Sequence, residues 1–188
     1  MTARWVVDIA EERDLKVEWK PISLLFKNET QPDSDHYEAV KTTHGMLRVM
    51  ESVRAEVGSG PIKDYYFQLG ARIHHDKNLD FDIADALTAA GLDPAHAAAA
   101  DDESFDVAIR ESMDDGLGLA GNDIGTPLIA KVNSKGVRSA YFGPVITRVP
   151  DHDDALKLWD ALGAMMDIDG FWELKRTRTE SPEFGKRP

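Results

Sequence analysis

The order of apolar and polar positions along the chain predicts a helix, a strand, a long helical block, two more strands and a final helix. Apolar residues recur at helical spacing from Thr2 to Arg13. Residues 15–20 then alternate apolar and charged side chains up to Pro21, as the two faces of a strand do. A helix that leads into a strand is half of a βαβ unit, so the pattern favours an α/β class.

Residues 36–115 keep a helical period interrupted by turn residues, and no strand is predicted inside this block. Strand pattern returns at 127–132 and 137–142, and the turn between these segments predicts a hairpin. The last amphipathic helix covers 155–166. The glycine-rich segment 116–121 follows a helix and precedes a strand, the reverse of a dinucleotide-binding fingerprint, and we expect it to be a flexible connection.

The composition is that of an ordinary folded protein with a strongly acidic balance. Of 188 residues, 34 are Asp or Glu and 22 are Lys or Arg, which gives a net charge of −12. This charge repels phosphate groups, so we expect no nucleic-acid partner and no binding to an anionic membrane. No apolar stretch approaches the length of a membrane span and no signal-peptide pattern follows Met1, which predicts a cytoplasmic protein.

The chain contains no cysteine. Disulfides, thiolate catalysis and cysteine-ligated zinc are therefore excluded for these 188 residues. The six histidines are scattered, and the adjacent pair His74 and His75 would point about 100° apart on a helix, whereas metal-binding pairs on a helix are four residues apart. We therefore expect no metal site and a structural role for this pair.

Four segments make a comparison with a known family specific. Each string is short, but they occur in one order across nearly the whole chain. They resemble segments of actinobacterial DsbA-like proteins, including the mycothiol-dependent nitroreductases: Gly70-Ala71-Arg72-Ile73-His74, Asp123-Ile124-Gly125-Thr126-Pro127, Phe142-Gly143-Pro144-Val145-Ile146-Thr147 and Phe171-Trp172-Glu173-Leu174-Lys175-Arg176-Thr177-Arg178-Thr179-Glu180.

The resemblance implies an α/β protein with a thioredoxin-like fold that carries an inserted all-helical domain. Residues 1–35 would form part of a βαβ half with a helix, a strand and a loop. Residues 36–120 would be the inserted helical domain, and 121–188 the C-terminal half with a strand hairpin, a final helix and a tail. The first strand of the fold and its redox motif would be missing from this chain.

The family has a Cys-x-x-Cys or related motif at the start of the first helix, which here would fall just before Met1. The resemblance thus implies no catalytic residue within the chain, and we expect it to be redox-inactive as written. Two explanations stay open: the start of the chain is wrongly assigned, or the protein is a truncated paralogue that binds without redox chemistry. A homodimer that compensates for the missing strand is also expected.

Four residues are candidates for substrate binding by resemblance. The bond between Thr126 and Pro127 matches the cis proline beside the active cysteine of thioredoxin-like proteins; on sequence alone a trans proline that starts a strand is the simpler interpretation. Asn28 and Tyr37 match pocket residues of the nitroreductase relatives. Asn28 could equally be a turn residue, and Tyr37 an aromatic side chain at an interface.

The resemblance implies a thiol-disulfide oxidoreductase, or a mycothiol-dependent reductase of small electrophilic or nitro substrates. Mycothiol or another low-molecular-weight thiol would be its co-substrate, with no covalently bound cofactor. One alternative is an enzyme of the glutathione-transferase-kappa or hydroxychromene-carboxylate-isomerase type, with serine at the motif position. Another is a non-catalytic binding module.

Overall fold

A computed structural model describes residues 1–187 and contains mixed helix and sheet, which is compatible with the predicted α/β class. The α-helices and strands are, in chain order, α1 (Thr2–Ile9), α2 (Leu24–Lys27), α3 (Tyr37–Val57), α4 (Ile62–Gly70), α5 (Ile83–Ala89), α6 (Asp106–Ala120), β1 (Leu128–Val132), β2 (Arg138–Phe142) and α7 (His152–Met166). A π-helix covers Ala71–His75, and 3-10 helices cover Pro94–Asp101 and Glu103–Phe105.

The chain divides into two compact units. The first, the sheet-containing unit, consists of Met1–Val17 and Asp115–Gly185. The second, the helical unit, consists of Glu18–Asp114 and the end of the chain from Lys186. The helical pattern predicted for residues 36–115 is confirmed, since every regular element of the described chain between these positions is a helix.

Aspartate side chains start the short helices of the helical unit. Asp82, Asp93 and Asp102 each accept a hydrogen bond from the backbone N–H two residues ahead, at 2.8–2.9 Å. Such caps satisfy N–H groups that have no partner within the helix. The core below these helices consists of buried residues from α3, α4, α5 and the 94–101 helix: Met46, Val49, Met50, Val53, Ile62, Tyr65, Leu69, Ala86, Leu87 and Ala99.

The sheet-containing unit is built on one antiparallel hairpin and two helices. β1 pairs with β2 from Leu128 opposite Phe142 to Val132 opposite Arg138. The buried residues of α1 (Trp5, Val6, Ile9) pack in one cluster with those of α7 (Ala155, Leu162, Met166). Trp5 is fully buried, and its indole N–H donates to the carbonyl of Ala155 at 2.9 Å. The predicted hairpin and final helix are thus confirmed.

The strand predicted at residues 15–20 is not present. The structure places no helix or strand between Leu15 and Lys20, and the ladder between β1 and β2 is the one strand pairing among residues 1–187. A period of two reports which side chains are buried, but a strand also requires a neighbouring backbone to accept its hydrogen bonds. The alternation was therefore an insufficient signal. The first helix also ends earlier than expected, at Ile9.

The flexible connection predicted at 116–121 is also wrong, because α6 continues through the glycines to Ala120. A Cβ at Gly116 would lie 2.8 Å from Cδ2 of Leu128 on β1, so a residue larger than glycine would require the end of that side chain to shift. Each glycine costs about 1 kcal/mol of helix propensity relative to alanine, yet the helix continues.

Among residues 1–187, every helix is too short or too polar to span a bilayer.

Candidate functional site

The predicted cis bond between Thr126 and Pro127 is confirmed. Thr126 is exposed and Pro127 half-buried, immediately before β1. The carbonyl of Pro127 accepts a hydrogen bond from the N–H of Gly143 at 2.8 Å, and the peptide between Gly143 and Pro144 is also cis. The hydroxyl of Thr2 donates to the carbonyl of Pro144 at 2.8 Å. The start of α1 and the proline before β1 are therefore neighbours within the sheet-containing unit.

Asn28 and Tyr37 lie in the helical unit, at the two ends of the loop that joins α2 to α3. Asn28 is exposed and follows the last residue of α2. Tyr37 is half-buried at the first position of α3, with the ammonium group of Lys41 6.0 Å from its ring centroid. Neither the side-chain amide of Asn28 nor the hydroxyl of Tyr37 forms a hydrogen bond to a described residue. Both groups are available to a ligand.

The most developed polar constellation in the helical unit is a chain of hydrogen bonds that was not predicted. The Oγ of Ser23 lies 2.9 Å from Nδ1 of His44, and Nε2 of His44 lies 3.0 Å from Oδ1 of Asp106. Arg48 donates from Nε and Nη2 to the two oxygens of Asp106, at 2.6 and 2.9 Å. We call Ser23, His44 and Asp106 the relay.

The charges and hydrogen-bond partners of the relay determine which of its atoms carry protons. Burial lowers the pKa of His44, so the ring is neutral near pH 7. Burial by itself would raise the pKa of Asp106, but hydrogen bonds from Arg48 and the nearby charges hold it below its usual value. An ionised carboxylate only accepts, so Nε2 of His44 carries the proton and donates it. Nδ1 is then the acceptor, and the hydroxyl of Ser23 donates to it.

A serine, a histidine and an aspartate in series also occur in hydrolases, but this relay lacks an accessible nucleophile. Ser23 and His44 are 0% and 3% exposed. The Oγ of Ser23 accepts the N–H of Phe26 at 3.2 Å as the cap of α2, besides donating to His44. No substrate carbonyl can reach an oxygen that is enclosed and fully bonded. The arrangement therefore supports structure and not nucleophilic attack.

A second Ser–His pair lies in the same unit. The Oγ of Ser52 on α3 is 2.8 Å from Nδ1 of His96, which is buried in the 3-10 helix 94–101. The nearest carboxylate, Glu56, is 3.8 Å from Nε2 of His96, too far for a hydrogen bond. This pair joins the same atoms as the first half of the relay, but Ser52 is only half-buried and the pair has no contact with α2.

His74 and His75 lie in the π-helix that follows α4. Among residues 1–187, no three His, Cys, Asp or Glu side chains are grouped so that they could hold a metal ion. π-Helices are rare and frequently occur at functional sites, a signal that the sequence analysis did not use.

A family model described as mycothiol-dependent nitroreductase Rv2466c matches residues 1–176. The chain belongs to this Rv2466c-like family. The match includes most of each compact unit and all of the helices and strands described above. The mycothiol-dependent nitroreductase part of the resemblance is thereby confirmed, and a small-molecule thiol is consistent as a partner.

The structure divides the predicted binding residues between the two units. Thr126 and Pro127 belong to the sheet-containing unit, where the start of α1 is close to them. Asn28 and Tyr37 belong to the helical unit, on either side of one loop.

Proposed function

We propose that this protein acts in the mycothiol-dependent reduction of small nitro or otherwise electrophilic compounds. The observation that carries the proposal is the family match over residues 1–176. In the chemistry proposed, two thiols give up two electrons and two protons and form a disulfide, while a nitro group loses one oxygen as water and becomes a nitroso group. The chain has no cysteine, so both thiols come from outside these 188 residues.

We propose a DsbA-like, thioredoxin-type architecture for the family core. Its support is the packing of α1 and α7 in one cluster with the hairpin residues Ile129 and Tyr141, and the long helical block between residues that resemble the two halves of that fold. On this proposal residues 36–120 are the inserted domain, flanked by 1–35 and 121–188. The same proposal includes a cytoplasmic location, favoured because reduced thiol pools belong to the cytosol.

In this proposal four residues contact the substrate or the thiol. The amide of Asn28 donates to a nitro oxygen, and the ring of Tyr37 stacks on a planar substrate while its hydroxyl donates. Thr126 and Pro127 present backbone and a hydroxyl group beside the start of α1. The support for Asn28 and Tyr37 is that the side-chain amide of the first and the hydroxyl of the second form no hydrogen bond to a described residue.

The experiment is equilibrium dialysis of the 188-residue chain against 4-nitrobenzamide, with and without mycothiol. We expect saturable binding that the Asn28→Ala variant weakens about fivefold, since one hydrogen bond contributes about 1 kcal/mol. Gln31→Ala is the matched control: Gln31 is an exposed amide in the same loop, and it bonds to the carbonyl of Glu29. Equal effects of the two substitutions, or no saturable binding, would refute the proposed site.

One observation favours a second candidate function. Because the chain has no cysteine, it cannot form a mixed disulfide. Neither an enzyme that binds a thiol without being oxidised nor a non-catalytic binding module requires a cysteine. An insulin-reduction assay with dithiol recycling tests the redox inactivity on which this second candidate depends. We expect no activity above a heat-killed control, and measurable reduction would exclude both the binding module and the redox-inactive chain.

We also propose that the chain forms a homodimer through β1. In the ladder, the N–H and C=O groups of Leu128, Ala130 and Val132 point away from β2, and the described residues offer them no partner. An open strand edge pairs readily with another chain, and a two-fold axis lets two such edges satisfy each other. We expect light scattering at micromolar concentration to give twice the 20.9 kDa of one chain. A monomeric mass with cooperative unfolding would exclude the dimer.

A further inference from the structure

We propose that Ser23 and His44 are positioning residues for Asn28: the relay holds α2 in place, and α2 in turn sets the position from which Asn28 reaches a ligand. The inference rests on the proposed role of Asn28 in substrate binding, and it names the part of the chain that makes this role effective.

α2 is a helix that cannot hold itself in place. It has four residues, and none of them is fully buried. A single helical turn is unstable in isolation because nucleation is unfavourable, so external contacts must supply its stability. The hydrophobic core of the helical unit is formed by other helices. Polar and aromatic contacts of Ser23 and Phe26 therefore stabilise α2, whereas the longer helices of this unit are stabilised by a buried apolar face.

Side chains of α3 and α6 hold α2 at these contacts. At its start, the buried cap Ser23 bonds to His44 on α3. In its middle, the ring of Phe26 lies between the ring of His44, at 4.4 Å between centroids, and the guanidinium group of Arg110 on α6, 3.6 Å from the Phe26 centroid. His44 thus contacts both the cap and the aromatic side chain of the same turn. Its orientation is fixed from the other side by Asp106 and the two bonds from Arg48.

The backbone N–H groups of residues 28–30 are all hydrogen-bonded to α2. The N–H groups of Asn28, Glu29 and Thr30 donate to the carbonyls of Leu24, Phe26 and Leu25, at 3.1–3.2 Å. Because all three bonds return to the same helical turn, a displacement of α2 carries Asn28 with it. Catalytic and binding groups lose much of their effect when displaced by about 1 Å.

The experiment compares Ser23→Ala with Ser52→Ala. Both substitutions remove a hydroxyl that bonds to Nδ1 of a buried histidine in the helical unit, but Ser23 is fully buried, Ser52 is half-buried, and only the first pair reaches α2. We expect Ser23→Ala to weaken 4-nitrobenzamide binding about fivefold, the effect of losing the Asn28 hydrogen bond, and Ser52→Ala to leave it within about twofold. Ser23→Thr keeps the hydroxyl and is expected to restore tight binding.

A double-substitution cycle separates positioning from general damage. In an Asn28→Ala background, Ser23→Ala should weaken binding no further, because the group that it positions is already gone. An undiminished effect of Ser23→Ala in that background would overturn the inference, as would wild-type binding by a folded Ser23→Ala protein. If Ser23→Ala does not fold, Arg110→Met removes the exposed guanidinium group over Phe26 without touching the core, and we expect it to weaken binding about twofold.

A ligand-independent measurement distinguishes failure of this inference from failure of the proposed function. Hydrogen exchange at the amides of Asn28, Glu29 and Thr30 should accelerate at least about tenfold in Ser23→Ala and stay unchanged in Ser52→Ala. If the wild type does not bind 4-nitrobenzamide, the proposed function fails. The hydrogen-exchange rates of these amides then still show whether the relay holds α2 in place. Unchanged exchange at these three amides in Ser23→Ala would overturn the relay itself.

Discussion

Replacing Asp106 with alanine is expected to lower the free energy of unfolding of the helical unit by about 3 kcal/mol, because it removes a carboxylate that accepts hydrogen bonds from two little-exposed side chains. Arg48 donates to both of its oxygens, and His44 donates to one of them. The side chains of Arg48 and His44 are 14% and 3% exposed, so water can replace few of the hydrogen bonds that they would lose. A buried donor without an acceptor costs about 1–3 kcal/mol, and a charged one more.

The measurement for Asp106 is urea unfolding followed by circular dichroism. Asp76→Ala is the matched control in the same unit: Asp76 also accepts two bonds from one arginine, Arg187, but both partners of that pair are more than 40% exposed. We expect no resolvable change in the control, since exposed ion pairs contribute little. Equal destabilisation by the two substitutions would show that the burial of the relay does not matter.

Replacing Trp5 with alanine should have the largest effect in the sheet-containing unit, about 3–5 kcal/mol of unfolding free energy. Trp5 is fully buried between α1 and α7, its ring centroid is 5.8 Å from that of Trp159, and its indole N–H donates to the carbonyl of Ala155. Alanine would leave a cavity and remove the hydrogen bond that the indole adds to a carbonyl of α7. Phenylalanine at this position should recover more than half of the loss, because it refills most of the volume but not the hydrogen bond.

The control for Trp5 is Trp172→Ala. Trp172 lies in the C-terminal tail and is 84% exposed, so its removal should leave the unfolding free energy unchanged. Hydrogen exchange of peptides from α7 is the suitable readout, because it follows this unit and does not depend on tryptophan fluorescence. Exchange in α7 that is no faster in Trp5→Ala than in Trp172→Ala would contradict the importance of the cluster between α1 and α7.

The elements that could be predicted from the sequence are those whose pattern is complete within one segment. The stripe of Met46, Val49, Met50 and Val53 gives α3 its own buried face, so its period is visible without knowledge of any partner. The hairpin was equally local, since a short turn joins the two strands that pair with each other. The cis bond at Pro127 came from the resemblance, because the isomer has no signature in a single sequence.

The features that were missed depend on residues far apart in the chain. The alternation at residues 15–20 gave no information on whether another strand lies alongside, and none does among residues 1–187. The relay joins residues separated by 21 and 62 positions. Ser23, His44 and Asp106 belong to no recognisable local motif, and only the packing of α2, α3 and α6 brings them together. Serine before a short helix is the one local sign, as a cap.

The helical unit is nearly all one stretch of chain, whereas the sheet-containing unit is assembled from two distant segments, and this has a consequence for the order in which the protein folds. Residues 18–114 can find all their main contacts within one uninterrupted stretch, whereas the sheet-containing unit must bring Met1–Val17 to a segment that begins at Asp115. Closing a flexible loop of that length costs on the order of 4 kcal/mol in chain entropy. If the helical unit folds first, the separation between residues 18 and 114 is fixed, and the entropy of closing a long flexible loop is no longer lost when the sheet-containing unit forms. Folding of α1 onto α7 should then follow the helical unit in time, and destabilising the relay should slow a step in which no relay residue takes part.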